Sequence, residues 1–146
     1  PNKSKAVQKI MGQEMVQVFD GEKGYMMQAG QRMDLPAPAI EEAKKKRLFE
    51  VLSYNAADFK TVEKVTEEGK ELYLLAGAGK KLYFDTKTNL LVKSTSDKGD
   101  MVILDYMEVD GIKFPKNLKL AMMGQNMEVT NNQVIVNKEV SAEDFK

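Results

Sequence analysis

The chain has 146 residues, 22 of them basic and 22 acidic, and it contains no Cys, His or Trp. Without His and Cys it lacks the commonest general acid–base group, the thiolate nucleophile and the usual zinc ligands, so the composition disfavours catalysis without excluding it. A formal charge of zero argues against a nucleic-acid partner, because such proteins need a basic excess to bind phosphates. We therefore expect a non-enzymatic protein without a cofactor and without a bound metal.

The first third of the chain predicts hairpins followed by one helix. Strands are expected over residues 3–11, 14–19 and 25–28. The segment 20–24 (DGEKG) is typical of a hairpin loop. Prolines at positions 36 and 38 prepare a helix start, and the spacing of apolar residues predicts a helix over residues 39–52 that covers the open side of the sheet.

From about residue 59 apolar and polar residues alternate, and turn signals interrupt the alternation at regular intervals. Strands are predicted over residues 59–66, 71–76, 81–84, 90–95, 101–109, 112–123 and 127–136. The clearest run starts at Ile112, where the even positions are apolar except for Lys116. Joined by short turns, these strands predict an antiparallel meander, and Ser141 followed by acidic residues predicts a final helical turn.

Together these elements predict one domain that spans residues 1–146. Its class is mainly β (α+β), with a strongly curved antiparallel sheet of about eight strands and one main helix. A curved meander with one apolar face is suited to holding an apolar ligand. Because the chain opens on Pro1 rather than Met, we expect it to be cut from a longer chain.

Two motifs that suggest a site have a simpler structural explanation. The segment 77–81 (GAGKK) has the residue types of a phosphate loop but lacks the GxxxxGK[ST] spacing, so a turn between strands is favoured. Asp20, Asp97 and Asp100 carry carboxylates that a hard cation accepts, but they lie in hairpin turns and lack the spacing of a calcium loop.

Ten methionines leave two interpretations open. They are either ordinary core filler or a deformable lining for an acyl chain or a lipid-modified peptide, because methionine adapts its shape to variable apolar partners. In the pairs Met26–Met27 and Met122–Met123, neighbouring side chains on a strand point to opposite faces. At least one member of each pair should therefore lie on a less buried face.

Three segments carry a family resemblance: VFDGEKGY at 18–25, KLYFDTKTNLLVK at 81–93 and DYMEVDGIKFPKNLKL at 105–120. Their order and spacing resemble the outer-membrane lipoprotein carrier (LolA-like) superfamily, Bacteroidetes type, including the domain appended to insulinase-type zinc peptidases. The resemblance covers most of the chain. Asn89 stands where the turn of this family usually has glycine, a change that asparagine tolerates because it adopts left-handed conformations.

The resemblance implies an incomplete antiparallel β-barrel, or half-barrel, with helices closing its apolar concavity. It implies a non-catalytic domain of the cell envelope, periplasmic or associated with the outer membrane, that binds lipid or lipoprotein acyl chains. The family usually opens with a helix and early strands, so we expect this chain to lack its N-terminal elements and to expose a sheet edge for a homodimer or a partner chain. An alternative stays open: an accessory or scaffold domain of an insulinase-type zinc peptidase, whose HxxEH motif would lie outside this histidine-free segment.

The predicted ligand-binding residues lie on the helix and on strands from both halves of the chain. On the helix, Leu48, Val51 and Leu52 would plug the concavity and move aside for a ligand. The predicted lining on and between the strands is Val16, Val18, Tyr25, Met27, Leu72, Leu74, Leu82, Phe84, Leu90, Val92, Ile103, Phe114, Leu118, Leu120 and Met122. Which side of each strand faces the ligand is left open, and no catalytic or metal-binding residue is proposed.

Overall fold

The structure is a computed structural model that describes residues 3–10, 13–46, 54–137 and 140–145. The chain divides into two compact units, one made of Pro1–Tyr54 with Glu139–Lys146 and the other of Asn55–Lys138. The described residues form eleven strands in two antiparallel sheets and one α-helix, and neither sheet closes into a barrel. The predicted class, mainly β with antiparallel strands and one main helix, is confirmed, although the strands exceed the predicted eight and form two sheets.

The first unit contains a four-stranded sheet in which each strand pairs with its neighbour in sequence. Its elements are β1 (Ser4–Ile10), β2 (Gln13–Phe19), β3 (Gly24–Gln28), β4 (Gln31–Asp34), α1 (Ala37–Lys45) and a 3-10 helix over Ala142–Phe145. Strand β4 was not predicted, because its sequence QRMD has no alternation of apolar residues. The positive φ angles of Ala29 and Gly30 form a tight turn that returns β4 onto β3.

The helix α1 starts two residues earlier than predicted, with Pro36 at its N-cap position. Proline fits there because its φ angle suits a helix start and its missing N–H would have no partner in the first turn. The second half of the predicted helix, with Leu48, Val51 and Leu52, lies outside the described residues.

The second unit contains a seven-stranded meander, as the alternation predicted. Its strands are β5 (Thr61–Glu67), β6 (Lys70–Gly77), β7 (Lys80–Asp85), β8 (Leu91–Ser96), β9 (Gly99–Val109), β10 (Ile112–Met122) and β11 (Gln125–Thr130), preceded by a 3-10 helix over Ala56–Asp58. Two-residue turns connect several of these strands, and in those at 68–69, 78–79, 110–111 and 123–124 the first residue and the following glycine both have positive φ. That geometry matches the right-handed twist of paired strands, which is why it recurs in hairpins.

An irregularity in β10 explains the one polar residue in its apolar series. The pairing with β9 changes register on both sides of Asn117, so Lys116 falls in a bulge and not in the regular alternation. The backbone N–H of Asn131 donates to the Lys116 carbonyl at 2.7 Å, and its side-chain Nδ2 donates to the Pro115 carbonyl, also at 2.7 Å. Asn131 thus ends the ladder, and the strand predicted over 127–136 stops at Thr130.

The buried cluster of the second unit lies on one face of β6 and β7. Leu72, Leu74 and Tyr83 form this cluster, and the partly buried side chains of Val65, Ala76 and Val92 pack against it. Near the end of β6, Gly77 lies so close to the 3-10 helix that an added Cβ would overlap the Asp58 carbonyl oxygen. The Lys60 N–H donates to the Ala76 carbonyl at 2.9 Å, so residues 58–60 lie directly on this strand end.

This close approach predicts that Gly77→Ala destabilises the protein by about 3 kcal/mol, the upper range for overpacking against a site that cannot move away. The matched control is Gly79→Ala, where the added Cβ has no neighbour within 4 Å and φ is +73°. That variant should lose only about 1 kcal/mol, from left-handed strain. Chemical denaturation measures both values, and amide exchange at Lys60 should accelerate in Gly77→Ala alone. Equal losses in the two variants would contradict the contact.

Candidate functional site

Four of the predicted lining residues share one face of the four-stranded sheet. In the ladder of β2 and β3, Val18 pairs with Tyr25 and Val16 pairs with Met27. Directly opposed residues lie on the same face, as do residues two apart along a strand. The structure therefore brings these four side chains together, and Val7 of β1 joins them because it pairs with Val16.

A cavity of about 550 Å³ lies in the first unit, at the Val18–Tyr25 end of this face. Two of the predicted residues, Val18 and Tyr25, line it. Helix α1 contributes Ile40, and the 3-10 helix near the C-terminus contributes Phe145. Its remaining lining residues are Asp20, Lys23, Gly24, Arg32, Asp34 and Leu35. The cavity thus has apolar walls from three kinds of element and charged groups as well.

Arg32 is held over the Tyr25 ring. The guanidinium carbon Cζ lies 3.8 Å from the ring centroid, and Nε lies 3.4 Å from Oδ1 of Asp34. Tyr25 pairs with Asp34 across the β3–β4 ladder and Arg32 pairs with Met27, so the register places all three side chains on one face of the sheet. Stacking on an aromatic face and a carboxylate partner both restrict the guanidinium, and the two effects reinforce each other.

The loop between β2 and β3 is ordered by Asp20. Its carboxylate accepts hydrogen bonds from the backbone N–H groups of Glu22 at 2.8 Å and Lys23 at 2.7 Å. Both hydrogen bonds lower the pKa of Asp20, and the bond from Lys23 has the larger effect. The Asp20 N–H also donates to the Lys23 carbonyl at 3.0 Å. By binding the backbone N–H groups of its own loop, Asp20 therefore also fixes the position of the Lys23 backbone beside the cavity.

The predicted lining residues of the second unit divide between the two faces of the seven-stranded sheet. Leu72 and Leu74 lie on the face of Tyr83, and Val92 packs against that group. On the other face the register forms one continuous row of opposed residues across six strands: Leu75, Leu82, Ser94, Met101, Leu120 and Met127. Because side chains alternate along a strand, Phe84, Ile103, Leu118 and Met122 share the face of this row.

Two further predicted residues lie next to turns or irregularities of the sheet. Leu90 is half-buried in the turn before β8, where its carbonyl accepts from the Asp85 N–H at 2.9 Å. Phe114 is half-buried beyond the bulge of β10, opposite Met107. In the second unit the predicted set therefore does not line a single surface.

The glycine–lysine segment 77–81 forms the β6–β7 hairpin turn, as predicted. A cavity of about 360 Å³ next to it is lined by Ala76, Gly77, Gly79, Lys80, Lys81, Thr95 and Ser96. The Lys80 ammonium lies 5.8 Å from the Phe59 ring centroid. Among the residues that the structure describes, no group of three or more His, Cys, Asp or Glu side chains could hold a metal ion. Over the same residues, no helix has the length and apolar character to cross a membrane.

Sequence reasoning missed the charged part of the first cavity. Arg32 and Asp34 lie on the unpredicted strand β4, and the turn at Ala29–Gly30 is the signal that could have located it. Phe145 comes from the opposite end of the chain, so no local pattern connects it with Tyr25. Ile40 belongs to the apolar stripe of the predicted helix, and its position facing the cavity follows from the structure.

Comparison with known proteins identifies a shared fold. No family model and no curated protein matches the sequence. A DUF1329 family protein from Desulfovibrio piger has a similar crystal structure, with a TM-score of 0.57, 10% sequence identity, and coverage of 94% of this chain and 70% of that chain. At this identity the similarity establishes a common fold and not a common ligand.

The hydrogen bonds of Asp20 give a pH prediction. A carboxyl whose folded-state pKa is depressed contributes stability that is present above its unfolded pKa and is lost as the pH falls through the folded pKa. A carbon NMR titration should therefore place the Asp20 midpoint below its ordinary value of 3.8. The stability difference between the wild type and Asp20→Ala should shrink as the pH falls through that midpoint.

Glu22→Gln is the control for this titration, because the exposed Glu22 contributes only its backbone N–H to the loop. It should leave the Asp20 midpoint close to the wild-type value. An Asp20 midpoint at or above 3.8 in the wild type would show that the loop is not held in this way.

Proposed function

We propose that this chain is a non-catalytic cell-envelope domain that binds lipid or lipoprotein acyl chains, with the cavity of the first unit as the binding site. The observation that carries the proposal is a cavity on one sheet face whose apolar walls are formed by Val18, Tyr25, Ile40 and Phe145. Its volume of about 550 Å³ falls within the range of roughly 300–1,000 Å³ typical of small-molecule sites.

The apolar surface continues from the cavity along the sheet. Next to the opposed residues Val18 and Tyr25 lie the apolar residues Val7, Val16 and Met27 in one row, which ends at Arg32 on β4. The side chains of Val7 and Met27 are 58% and 39% exposed, so this row is open to a ligand. An acyl chain needs an elongated apolar surface of this kind, since each methylene that it buries contributes about 0.8 kcal/mol before ordering costs are subtracted.

The fold similarity supports the proposal at the level of the superfamily. DUF1329 is a family with a LolA-like fold, so the neighbour is compatible with the resemblance of the three sequence segments to the lipoprotein carriers. From that resemblance we also infer a location in the cell envelope, periplasmic or at the outer membrane, and lipid or a lipidated protein as the partner. The lack of His and Cys supports a binding role, because it removes the residues most used in catalysis.

One matched pair of exposed methionines tests the site. Met27 lies on the cavity face, whereas Met33 on the adjacent strand pairs with Met26 on the opposite face and is 50% exposed. Met27→Gln should weaken binding of a fluorescent long-chain fatty acid about fivefold to tenfold, because an amide replaces roughly 1 to 1.4 kcal/mol of apolar contact. Met33→Gln should bind like the wild type, and both variants should keep their unfolding free energy.

Native mass spectrometry of the purified wild-type protein provides the independent measurement, through co-purified lipid. If the wild type binds no fatty acid and carries no lipid, acyl-chain binding is refuted. If the two glutamine variants lose affinity equally, the ligand binds elsewhere and the cavity assignment is wrong.

A second candidate is an accessory or scaffold domain of an insulinase-type zinc peptidase that docks through a sheet edge. The observation in its favour is β5, an edge strand that pairs with β6 without a bulge and carries Val62 with 68% exposure. Such an edge can pair with a strand of another chain, although its exposed Glu63 and Lys64 oppose indiscriminate pairing.

The second candidate predicts concentration-dependent self-association in light scattering, or binding to the peptidase domain in a pull-down, and Val62→Lys should abolish either one. Leu104→Lys is the control, because Leu104 is 55% exposed on the central strand β9 and not on an edge. A monomer at all concentrations that also fails to bind the peptidase domain would remove this candidate.

A further inference from the structure

Two cationic side chains with unused hydrogen-bond donors line the cavity of the first unit. Arg32 directs Nε toward Asp34, and its two terminal nitrogens have no partner among the described residues. The Lys23 ammonium likewise has no hydrogen bond or ion pair within the described part of the chain. These donors border a cavity whose walls are otherwise largely apolar.

The two carboxylates beside this cavity are weak competitors for these cations. Asp20 already accepts two backbone N–H bonds from its own loop, which compensate its charge. The Asp34 side chain is 82% exposed and engages Arg32 only at Nε, so water screens it strongly. Within the described ranges no acceptor engages the terminal nitrogens of Arg32, so they are available to a second group of oxygen acceptors.

We propose that the ligand of this cavity is an amphiphile with an anionic head group, a carboxylate or a phosphate, that Arg32 and Lys23 bind. This inference rests on the proposed function and adds the chemical class of the head group. A planar guanidinium matches the paired oxygens of a carboxylate or phosphate, which an ammonium does not. Stacking on Tyr25 already restricts the guanidinium before a ligand binds, so the Arg32 side chain loses less conformational freedom on binding.

The hydrocarbon chain would extend from this head group over Val18 and Ile40, which line the same cavity. Met27, Val16 and Val7 then form an apolar row across the sheet that starts beside Arg32, because Arg32 pairs with Met27. Arg32 thus lies at one end of this row and apolar side chains follow it, which is the order of head group and chain in an amphiphile.

The experiment measures the ratio of two affinities on the 146-residue chain: a long-chain fatty acid against the fatty alcohol of the same length. Arg32→Gln should lower the acid-to-alcohol ratio about tenfold, because it removes charge-assisted hydrogen bonds to the carboxylate. Asp34→Asn should raise the ratio about twofold to fivefold, because it removes a nearby like charge. Lys9→Gln, on an exposed strand position that does not line the cavity, should leave the ratio at the wild-type value.

A second arm distinguishes the two sources of negative charge by comparing lysophosphatidic acid with monoacylglycerol. If Arg32→Gln lowers only the acid-to-alcohol ratio, the head group is a carboxylate. If it lowers only the ratio of lysophosphatidic acid to monoacylglycerol, the head group is a phosphate. If Arg32→Gln and Asp34→Asn shift neither ratio, the anionic head group is refuted while acyl-chain binding stands. If the wild type binds none of the four compounds, the proposed function fails together with this inference.

Discussion

The cross-strand register of two antiparallel sheets is the constraint on which the other features of this protein depend. In a sheet, side chains alternate between faces, so a shift of one residue between strands would exchange every buried side chain for an exposed one. The pairing of Val18 with Tyr25, of Tyr25 with Asp34 and of Met27 with Arg32 places an apolar wall and a charged pair on the same face of the first sheet. In the second sheet the same rule aligns Leu75, Leu82 and Met101 in a row that crosses the strands.

Tyr25 combines two roles that would otherwise need two residues. Its position opposite Val18 makes it part of the apolar wall, while its ring supports the guanidinium of Arg32. An aromatic ring can do both because its face carries partial negative charge and its body is apolar. The transition from apolar to charged surface therefore occurs within one side chain, and a ligand that spans it must itself be amphiphilic.

Periodicity made much of this architecture predictable from the sequence. The alternation in β6 to β10 located the meander, whereas the face of each strand is left open by the sequence and follows from the register. Other features have no periodic signal: β4 has one apolar residue, Met33, and the bulge at Lys116 follows Pro115, which cannot donate to the ladder. The faces of the second sheet could not be assigned in advance, because a bulge shifts the register of β7 and β8 between Tyr83 and Phe84. Tyr83 pairs with Lys93, but Phe84 pairs with Leu91 and not with Val92.

Several hairpin turns contain residues that lower the stability of the folded protein, because their backbone conformation is unfavourable for a residue with a Cβ. Ala29, Glu68, Ala78 and Met123 occupy left-handed backbone positions, where a residue with a Cβ is disfavoured by about 1–2 kcal/mol. Together these four residues lower the free energy of unfolding by roughly 4 kcal/mol or more. This is a large share of the 5–15 kcal/mol that separates a folded domain from its unfolded chain. All four lie at hairpin tips, and none lines the larger cavity. Asparagine or glycine at these turns should therefore stabilise the protein without changing the residues that line the larger cavity.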